Sequence, residues 1–408
     1  VGWKLGLERI GALCGELGQP QRAFRSLHVV GTNGKTSVAL IAAALLEASG
    51  VRSGSSISPH VGSWRERTQV AGREPAAPAF RAAVDQVRAG IERLREAGPA
   101  DAPGSSADPV TQFEAAIAAS FVVLREAGVE IAVIEAGLGG RLDATNVITS
   151  EATALTSVAL DHTEWLGSAV PEIAAEKLAV LEPNTTLVIG RLDPEIERAA
   201  GEYATGLGAR LVVAPPAPAS AVPERYGPYL RRNAGVALEL VAAVGASPEP
   251  GISRAALETL PLEGRLELLE GDPPVLLDAA HNEEGARALA EAAATLGRPR
   301  FACISVLADK DPAAIAAALA PELDGVVCTA ADPGAGIGRP GAIALDPRQL
   351  AAEFTSRGVD ADVVDDPARA IQSVLELARS RGGVAICAGS NYLLRHAWTV
   401  RRDRSSSR

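Results

Sequence analysis

His28-Val29-Val30-Gly31-Thr32-Asn33-Gly34-Lys35-Thr36-Ser37 is the stretch on which the fold turns. The run before it, 26–30, is short, apolar and β-favouring. The run after it, 35–49, is long and alanine-rich, and Gly50 ends it as a helix would be ended. A strand that passes through a glycine turn into a helix builds an anion cradle. The glycines let backbone N–H groups approach oxygen atoms, and the helix start adds unpaired N–H groups and a positive dipole end. The occupant this predicts is the phosphate chain of a nucleotide, with Lys35 reaching the terminal phosphates and Thr36 facing Mg²⁺. Thr32, Asn33, Gly34 and Ser37 complete the loop. It departs from the common G-x-x-x-x-G-K-[ST] pattern at the first glycine, where Val29 stands.

Outward from the loop, β-rich runs alternate with helical patterns. Strands are predicted over 26–30, 131–135, 152–157 and 186–189, and helices over 35–49, 113–127, 170–181 and 232–244. This alternation predicts a parallel sheet with helices on both faces. It restarts after 261, with strands at 275–277, 301–306, 325–329 and 384–387 and helices at 283–293, 312–319, 347–357 and 367–380. The expected division is therefore 1–261 and 262–400, with the charged, serine-rich 401–408 as a disordered tail. The aperiodic Pro/Gly/Ser/Ala stretch 97–109 reads as a loop.

Several acids and histidines fall where such strands end. Glu135 closes an apolar strand and is followed by Gly137, Gly139 and Gly140, which argues for close backbone approach and a carboxylate at the ligand-bearing sheet edge. Opposite a phosphate loop, that carboxylate suits Mg²⁺. Asp161-His162-Thr163-Glu164 follows the next strand, and Glu176-Lys177 lies on the helix after it. In the second half, Asp278-Ala279-Ala280-His281 ends another apolar strand before a helix, preceded by Gly264-Arg265.

The 408 residues are comfortable for two domains. A composition with 47% hydrophobic and 22% charged residues excludes wholesale disorder. The net charge of −11 argues against a nucleic-acid partner. The longest unbroken apolar stretch, 38–46, is nine residues, under half a bilayer span, so no membrane partner is expected. Lys4, Glu8 and Arg9 interrupt the first turns, against a signal peptide, and a cytoplasmic protein is expected. The four cysteines are scattered, with no C-x-x-C pair, and read as buried free thiols. Only Lys4, Lys35, Lys177 and Lys310 are lysine, against 35 arginines. Where arginine has replaced lysine so widely, a retained lysine stands out, because the two differ in geometry and pKa chemistry.

In order along the chain, Leu7-Glu8-Arg9-Ile10, the glycine loop, Ser58-Pro59-His60 with Glu66-Arg67, and Gln112-Phe113-Glu114 form a recognisable series. It continues through 135–146, 161–167, Glu176-Lys177, Asn233-Ala234, Gly264-Arg265, 278–282, Asp309-Lys310-Asp311 and Gly389-Ser390. Together these resemble the folylpolyglutamate synthase/dihydrofolate synthase family of the Mur ligase superfamily, over nearly the whole chain. The resemblance implies an α/β fold: a P-loop, Mur-ligase-like central ATPase domain with a smaller C-terminal Rossmann-like α/β domain. It implies an ATP-dependent ligase that joins L-glutamate to a reduced folate or dihydropteroate through an acyl phosphate. Lys35 and Thr36 would serve ATP and Mg²⁺, with Ser58 and Glu135 completing the first metal site. Glu135, His162 and Lys177 would hold a second Mg²⁺, Lys177 as a carbamate, which a primary amine can form with CO₂ and a guanidinium cannot. Asn233 would contact adenine. Arg265, Asp278 and His281 would close on the nucleotide, His281 nearest the γ-phosphate. A monomer is expected.

Three segments depart from the family pattern. The loop reads Gly-Lys-Thr where folate ligases commonly have Gly-Lys-Gly. The adenine segment, usually Gly-x-His-Gln-x-x-Asn, has Tyr229 and Leu230 in place of His and Gln, and Asp-Gly-Ala-His-Asn-Pro is here Asp278-Ala-Ala-His-Asn-Glu283. Two other readings stay open: Mur-type amide ligation of a non-folate acid, and a P-loop ATPase acting as a motor or switch. About thirty residues precede the loop, too few for the nucleotide-sugar domain of a peptidoglycan ligase, which favours folate. The acidic charge and the Asp-x-x-His strand end speak against a motor.

Overall fold

The computed structural model describes residues 6–96, 109–332 and 341–397. The expected tail and all but the last residue of the expected loop 97–109 lie outside the described residues. The chain divides into two compact units, one holding the residues up to Arg225 with Leu230–Leu260, the other Tyr226–Tyr229 with Pro261 onward.

The first unit is built on seven strands: β1 (Arg25–Val30), β2 (Ser53–Ser56), β3 (Thr68–Val70), β4 (Ile131–Glu135), β5 (Ser150–Leu155), β6 (Thr186–Ile189) and β7 (Arg210–Val213). They lie in the order β3-β2-β4-β1-β5-β6-β7. All neighbouring pairs are parallel, as the alternation predicts, except β3 on β2 at the edge. β1 and β4 are buried along nearly their whole length, as their unbroken apolar runs require of strands covered on both faces. In register, Val29 pairs with Glu135 and Val30 with Leu155. The strand ends around Gly31 therefore bring Glu135 to one side of the loop and Thr156 to the other.

β2 is a Ser-Gly-Ser-Ser strand with no apolar pattern, yet Ser53, Ser55 and Ser56 are at most 1% exposed. Its neighbours select it. A Cβ at Gly54 would lie 2.4 Å from Leu124 Cδ2, so only glycine lets the helix Gln112–Glu126 settle there. Ser53 Oγ instead donates to Ala43 O at 2.8 Å, satisfying itself on the helix Lys35–Ala48.

The helix Gln112–Glu126 opens with a capping box, Thr111 to Glu114. Glu114 also takes a two-pronged hydrogen bond from Arg9 Nε, 3.0 and 3.1 Å, with side chains only 6% and 3% exposed. Removing one partner strands the other charge out of water. Arg9→Leu is expected to cost about 3–5 kcal/mol in chemical denaturation; a change below about 1 kcal/mol would show that Glu114 finds water.

The second unit carries β8 (Glu267–Leu269), β9 (Val275–Leu277), β10 (Arg300–Ile304), β11 (Gly325–Cys328), β12 (Ala361–Val363) and β13 (Val384–Ala388), in the order β12-β11-β10-β13-β9-β8. Only β8 runs antiparallel. Three of its helices begin at Asp-Pro: Asp311, Asp346 and Asp366 each accept a first-turn N–H, and the proline supplies a preset φ. All four cysteines are free and buried, and burial pushes the Cys14, Cys328 and Cys387 thiols up to about 12, which leaves them protonated and unreactive. No helix among the described residues is long and apolar enough to cross a membrane.

Candidate active site

Gly31 has φ +151°, and a Cβ there would sit 1.9 Å from Thr156 Oγ1, so the turn off β1 admits no side chain. The first half of the loop is then tied down by the segment after β5. Thr32 N–H donates to Ser157 O at 2.8 Å, and Asn33 N–H to Ser157 Oγ at 3.0 Å. Thr156 Oγ1 donates to Asn33 O at 2.6 Å, and the Thr32 hydroxyl bonds Ala159 at both its N–H and its C=O. Thr32 and Asn33 thus serve the loop's shape. The second half opens the helix: Gly34, at φ +84°, caps it, and Val38 N–H makes a helical bond back to Gly34 O. The amides of Lys35, Thr36 and Ser37 are left without a partner inside the helix, which is the anion-binding end.

Two lysines converge on this loop. Lys35 Nζ donates to Gly31 O at 3.0 Å and Thr32 O at 2.9 Å, and Lys177 Nζ, on the helix Val170–Leu178 and 3% exposed, donates to Gly31 O at 2.8 Å. The two amines therefore meet at one carbonyl of the loop. Gly140 makes the approach of the Lys177 helix possible, because a Cβ there would lie 2.7 Å from Glu176 O and 2.9 Å from Lys177 O. The glycine cluster after Glu135 does what its sequence position predicts.

Glu135 is 2% exposed and accepts from Thr36 Oγ1 at 3.0 Å on both oxygens. Ser58 N–H donates to Glu135 Oε2 at 3.0 Å, and Thr36 Oγ1 also lies 3.4 Å from Ser58 O. Ser58 therefore enters through its main chain. A hydroxyl, one carboxylate and a carbonyl are hard oxygen donors that fit Mg²⁺ shared with phosphate oxygens rather than a closed protein cage. Among the described residues, no three His, Cys, Asp or Glu side chains group to hold a metal ion. Lys177 is not among those residue types; its amine is at Gly31 O. His162, in a left-handed conformation (φ +51°), donates its N–H to Asp161 Oδ1, with ring Nε2 3.8 Å from the same oxygen. Asn233 lies against the loop: a Cβ at Gly34 would be 2.8 Å from its Oδ1. It stands on a helix, Pro228–Ala242, that begins four residues before the predicted start.

Behind the loop lies a buried network absent from the sequence reading. Asp143 accepts from Leu138 N–H (2.7 Å), Thr145 N–H (3.0 Å) and Thr145 Oγ1 (2.6 Å). A hydroxyl has one hydrogen, so the 2.9 Å bond between Thr145 Oγ1 and His28 Nε2 must be donated by the imidazole. His28 is 1% exposed, and burial pushes its pKa down to about 3. The unfolded imidazole titrates near 6.5, so between these values the unfolded chain binds the extra proton and stability rises with pH. The contribution is full above 6.5 and falls by about 1.4 kcal/mol per unit as pH drops toward 3. Burial raises the Asp143 carboxyl, an influence of opposite sign in the acid range. His28→Gln keeps a donor and cannot titrate; urea denaturation at pH 6 and pH 5 is expected to show a slope shallower by about one proton.

In the second unit, Asp278 follows β9 at 5% exposure. It accepts from Leu266 N–H at 2.8 Å, Ala280 N–H at 2.9 Å and the Tyr229 hydroxyl at 2.5 Å. His281 Nδ1 donates to Ala279 O at 2.8 Å, which fixes the ring. Arg265 Nη1 donates to Gly264 O at 3.1 Å. Tyr229, a departure within the adenine segment of the family pattern, gives its hydroxyl to Asp278.

A strand-to-helix glycine loop in one α/β unit and an Asp-x-x-His strand end in a second define a protein of the Mur ligase class. A model of the Mur ligase glutamate ligase domain matches residues 264–391. A dihydrofolate synthase/folylpolyglutamate synthase of Mycobacterium tuberculosis is 35% identical over 362 residues, covering 79% of this chain and 74% of that protein. The solved structure of Mycobacterium tuberculosis folylpolyglutamate synthase with ADP and AMPPCP superposes with a TM-score of 0.84 at 30% identity, covering 97% of this chain and 95% of that one. A bifunctional folylpolyglutamate synthase/dihydrofolate synthase solved with Mn, AMPPNP and L-glutamate gives 0.81 at 26% identity, covering 98% and 95%. The chain belongs to the folylpolyglutamate synthase/dihydrofolate synthase family.

Proposed function

We propose that this protein is an ATP-dependent ligase that adds L-glutamate to a folate-type carboxylate, either a reduced folate or dihydropteroate. The observation that carries the reading is the convergence of Lys35, Lys177, Thr36 and Glu135 on one glycine loop within a chain of this family. A substrate carboxylate oxygen attacks the γ-phosphorus of ATP, the bond to the β-phosphate oxygen breaks, and ADP leaves. The glutamate amine then attacks the carbonyl carbon of the acyl phosphate, phosphate departs, and the nitrogen loses a proton. The amides of 35–37 and the Lys35 ammonium hold the phosphates and meet the charge that develops on the transferred group. Thr36, Glu135 and the Ser58 main chain would hold Mg²⁺, which supplies further charge neutralisation when bound. Lys177 is proposed as the carbamylated residue and, with His162, as part of a second metal site. Asn233 is assigned to the adenine, and Arg265, Asp278 and His281 to the nucleotide.

Purified protein with ATP, Mg²⁺ and L-glutamate is expected to release ADP only when dihydropteroate or a reduced folate is added. ADP release from none of these acids would remove the folate assignment. Release driven by an unrelated acid would keep the ligase chemistry and change the substrate.

A further inference from the structure

Tyr229 stands where related ligases carry histidine, and its hydroxyl donates to Asp278 Oδ2 at 2.5 Å. Leu266 N–H donates to the same oxygen at 2.8 Å, and Ala280 N–H to Oδ1 at 2.9 Å. Delivering that first amide holds Leu266 at φ +51°, a conformation that a leucine seldom adopts. A carboxylate has roughly four acceptor directions, so three are filled and the remaining one is on Oδ1. Burial pushes the Asp278 carboxyl upward, and the bond from Tyr229 is the largest influence against it. Whatever completes Oδ1 must be a hydrogen-bond donor. Phosphate oxygens are not, and the carboxylate repels them. On a nucleoside triphosphate the donors are the sugar hydroxyls and the base amino group.

We propose that Tyr229 is a positioning residue that fixes the Asp278 carboxylate so that Oδ1 meets a ribose hydroxyl of the nucleotide. The phenol does this with one short bond from a rigid ring. Without it, Oδ2 keeps only the Leu266 amide and Oδ1 only the Ala280 amide, and the carboxylate loses its shortest bond and the one side chain that holds its plane. The inference rests on the assignment of Asp278 to the nucleotide.

The test is acid-dependent ADP release by the full chain with ATP, 2′-deoxy-ATP and 3′-deoxy-ATP. The wild type is expected to favour ATP over at least one deoxy analogue by about tenfold or more in kcat/KM, since a site built around a hydroxyl leaves its own acceptor unpaired without one. Tyr229→Phe removes one oxygen and keeps the ring. It is expected to raise KM for ATP roughly tenfold with kcat changed less than about twofold, and to bring the ATP-to-deoxy ratio near one. Tyr229→His restores a donor and is expected to recover KM. An unchanged KM and ratio in Tyr229→Phe overturns the role of Tyr229. Asp278→Asn separates the two layers: if it is folded by thermal melt and also changes neither quantity, the assignment of Asp278 to the nucleotide fails. A wild type indifferent to both deoxy analogues, yet selective against the triphosphate of unsubstituted purine riboside, would place the donor on the base and overturn the ribose contact.

Discussion

Lys35→Ala is expected to lower ATP turnover by about 10³-fold or more while leaving the thermal melt close to wild type. The first half follows from charge. In the loop the ammonium bridges Gly31 O and Thr32 O, one turn of chain before the amides that open the helix. Phosphoryl transfer offers a protein little to do except position the groups and neutralise developing charge, and removing one well-placed donor typically costs about 10²–10³ in rate, a charged one up to about 10⁵. The second half follows from packing. The side chain is only half-buried, and of its two carbonyl partners Gly31 O is also held by Lys177, while Thr32 is tied to Ser157 O through its own N–H. Lys35→Arg is not expected to restore turnover, because a planar guanidinium cannot fold over two successive carbonyls as a compact ammonium does. Steady-state ADP release beside a melting curve reads both halves, and a Lys35→Ala protein with normal turnover would refute the phosphate-loop assignment.

How much of this was legible beforehand depends on where the determining information sits. The loop was readable because strand, glycine and helix are each local patterns, and Glu135 because an apolar run ended in a carboxylate followed by glycines. The Asp-Pro helix starts at 311, 346 and 366 are equally local. β2 was not readable: Ser53–Ser56 has no strand propensity of its own, and its burial is dictated by Leu124 and the strands on either side. The edge strands β3 and β8 reverse direction, which no hydropathy pattern announces. The helix Ala77–Glu96 buries only Ala83, Val87 and Gly90 of its twenty residues, so its apolar stripe is too thin to stand out among arginines.

At the site the same division holds. Which residue types surround the loop was legible, but which atoms they offer was not. Ser58 contributes its main chain, Thr32 and Asn33 brace the turn, and Thr156 and Ser157, which hold it, carry no signature beyond two hydroxyls at a strand end. The bond of Tyr229 was not legible, because nothing in its own segment points to the partner. Its partner Asp278 lies 49 residues away in sequence.

Lys177 carries the other large expected effect. Lys177→Ala is expected to lose about 10²-fold or more in activity, and acetate or another small carboxylate is expected to return part of it. The amine sits 2.8 Å from Gly31 O with the side chain 3% exposed. When a neutral amine adds CO₂ it releases a proton and becomes a carbamate, and the nitrogen keeps one hydrogen. That hydrogen can still serve Gly31 O, so the modification adds two carboxylate-like oxygens without giving up the bond the structure shows. Those oxygens would supply the anionic donors that the Thr36, Glu135 and Ser58 group lacks for a second divalent ion. In Lys177→Ala the vacated space is lined by the same loop carbonyl, and a free carboxylate can deliver the missing oxygens there. Lys177→Arg keeps the charge and most of the volume but cannot form the carbamate, so it is expected to stay inactive and to show no acetate rescue. A wild-type sample in ¹³C-bicarbonate is expected to show one carbamate carbon by NMR that Lys177→Arg lacks. Full activity of Lys177→Ala, or a spectrum without that carbon in an active wild type, would remove the carbamate and leave Lys177 as the clamp on Gly31 O.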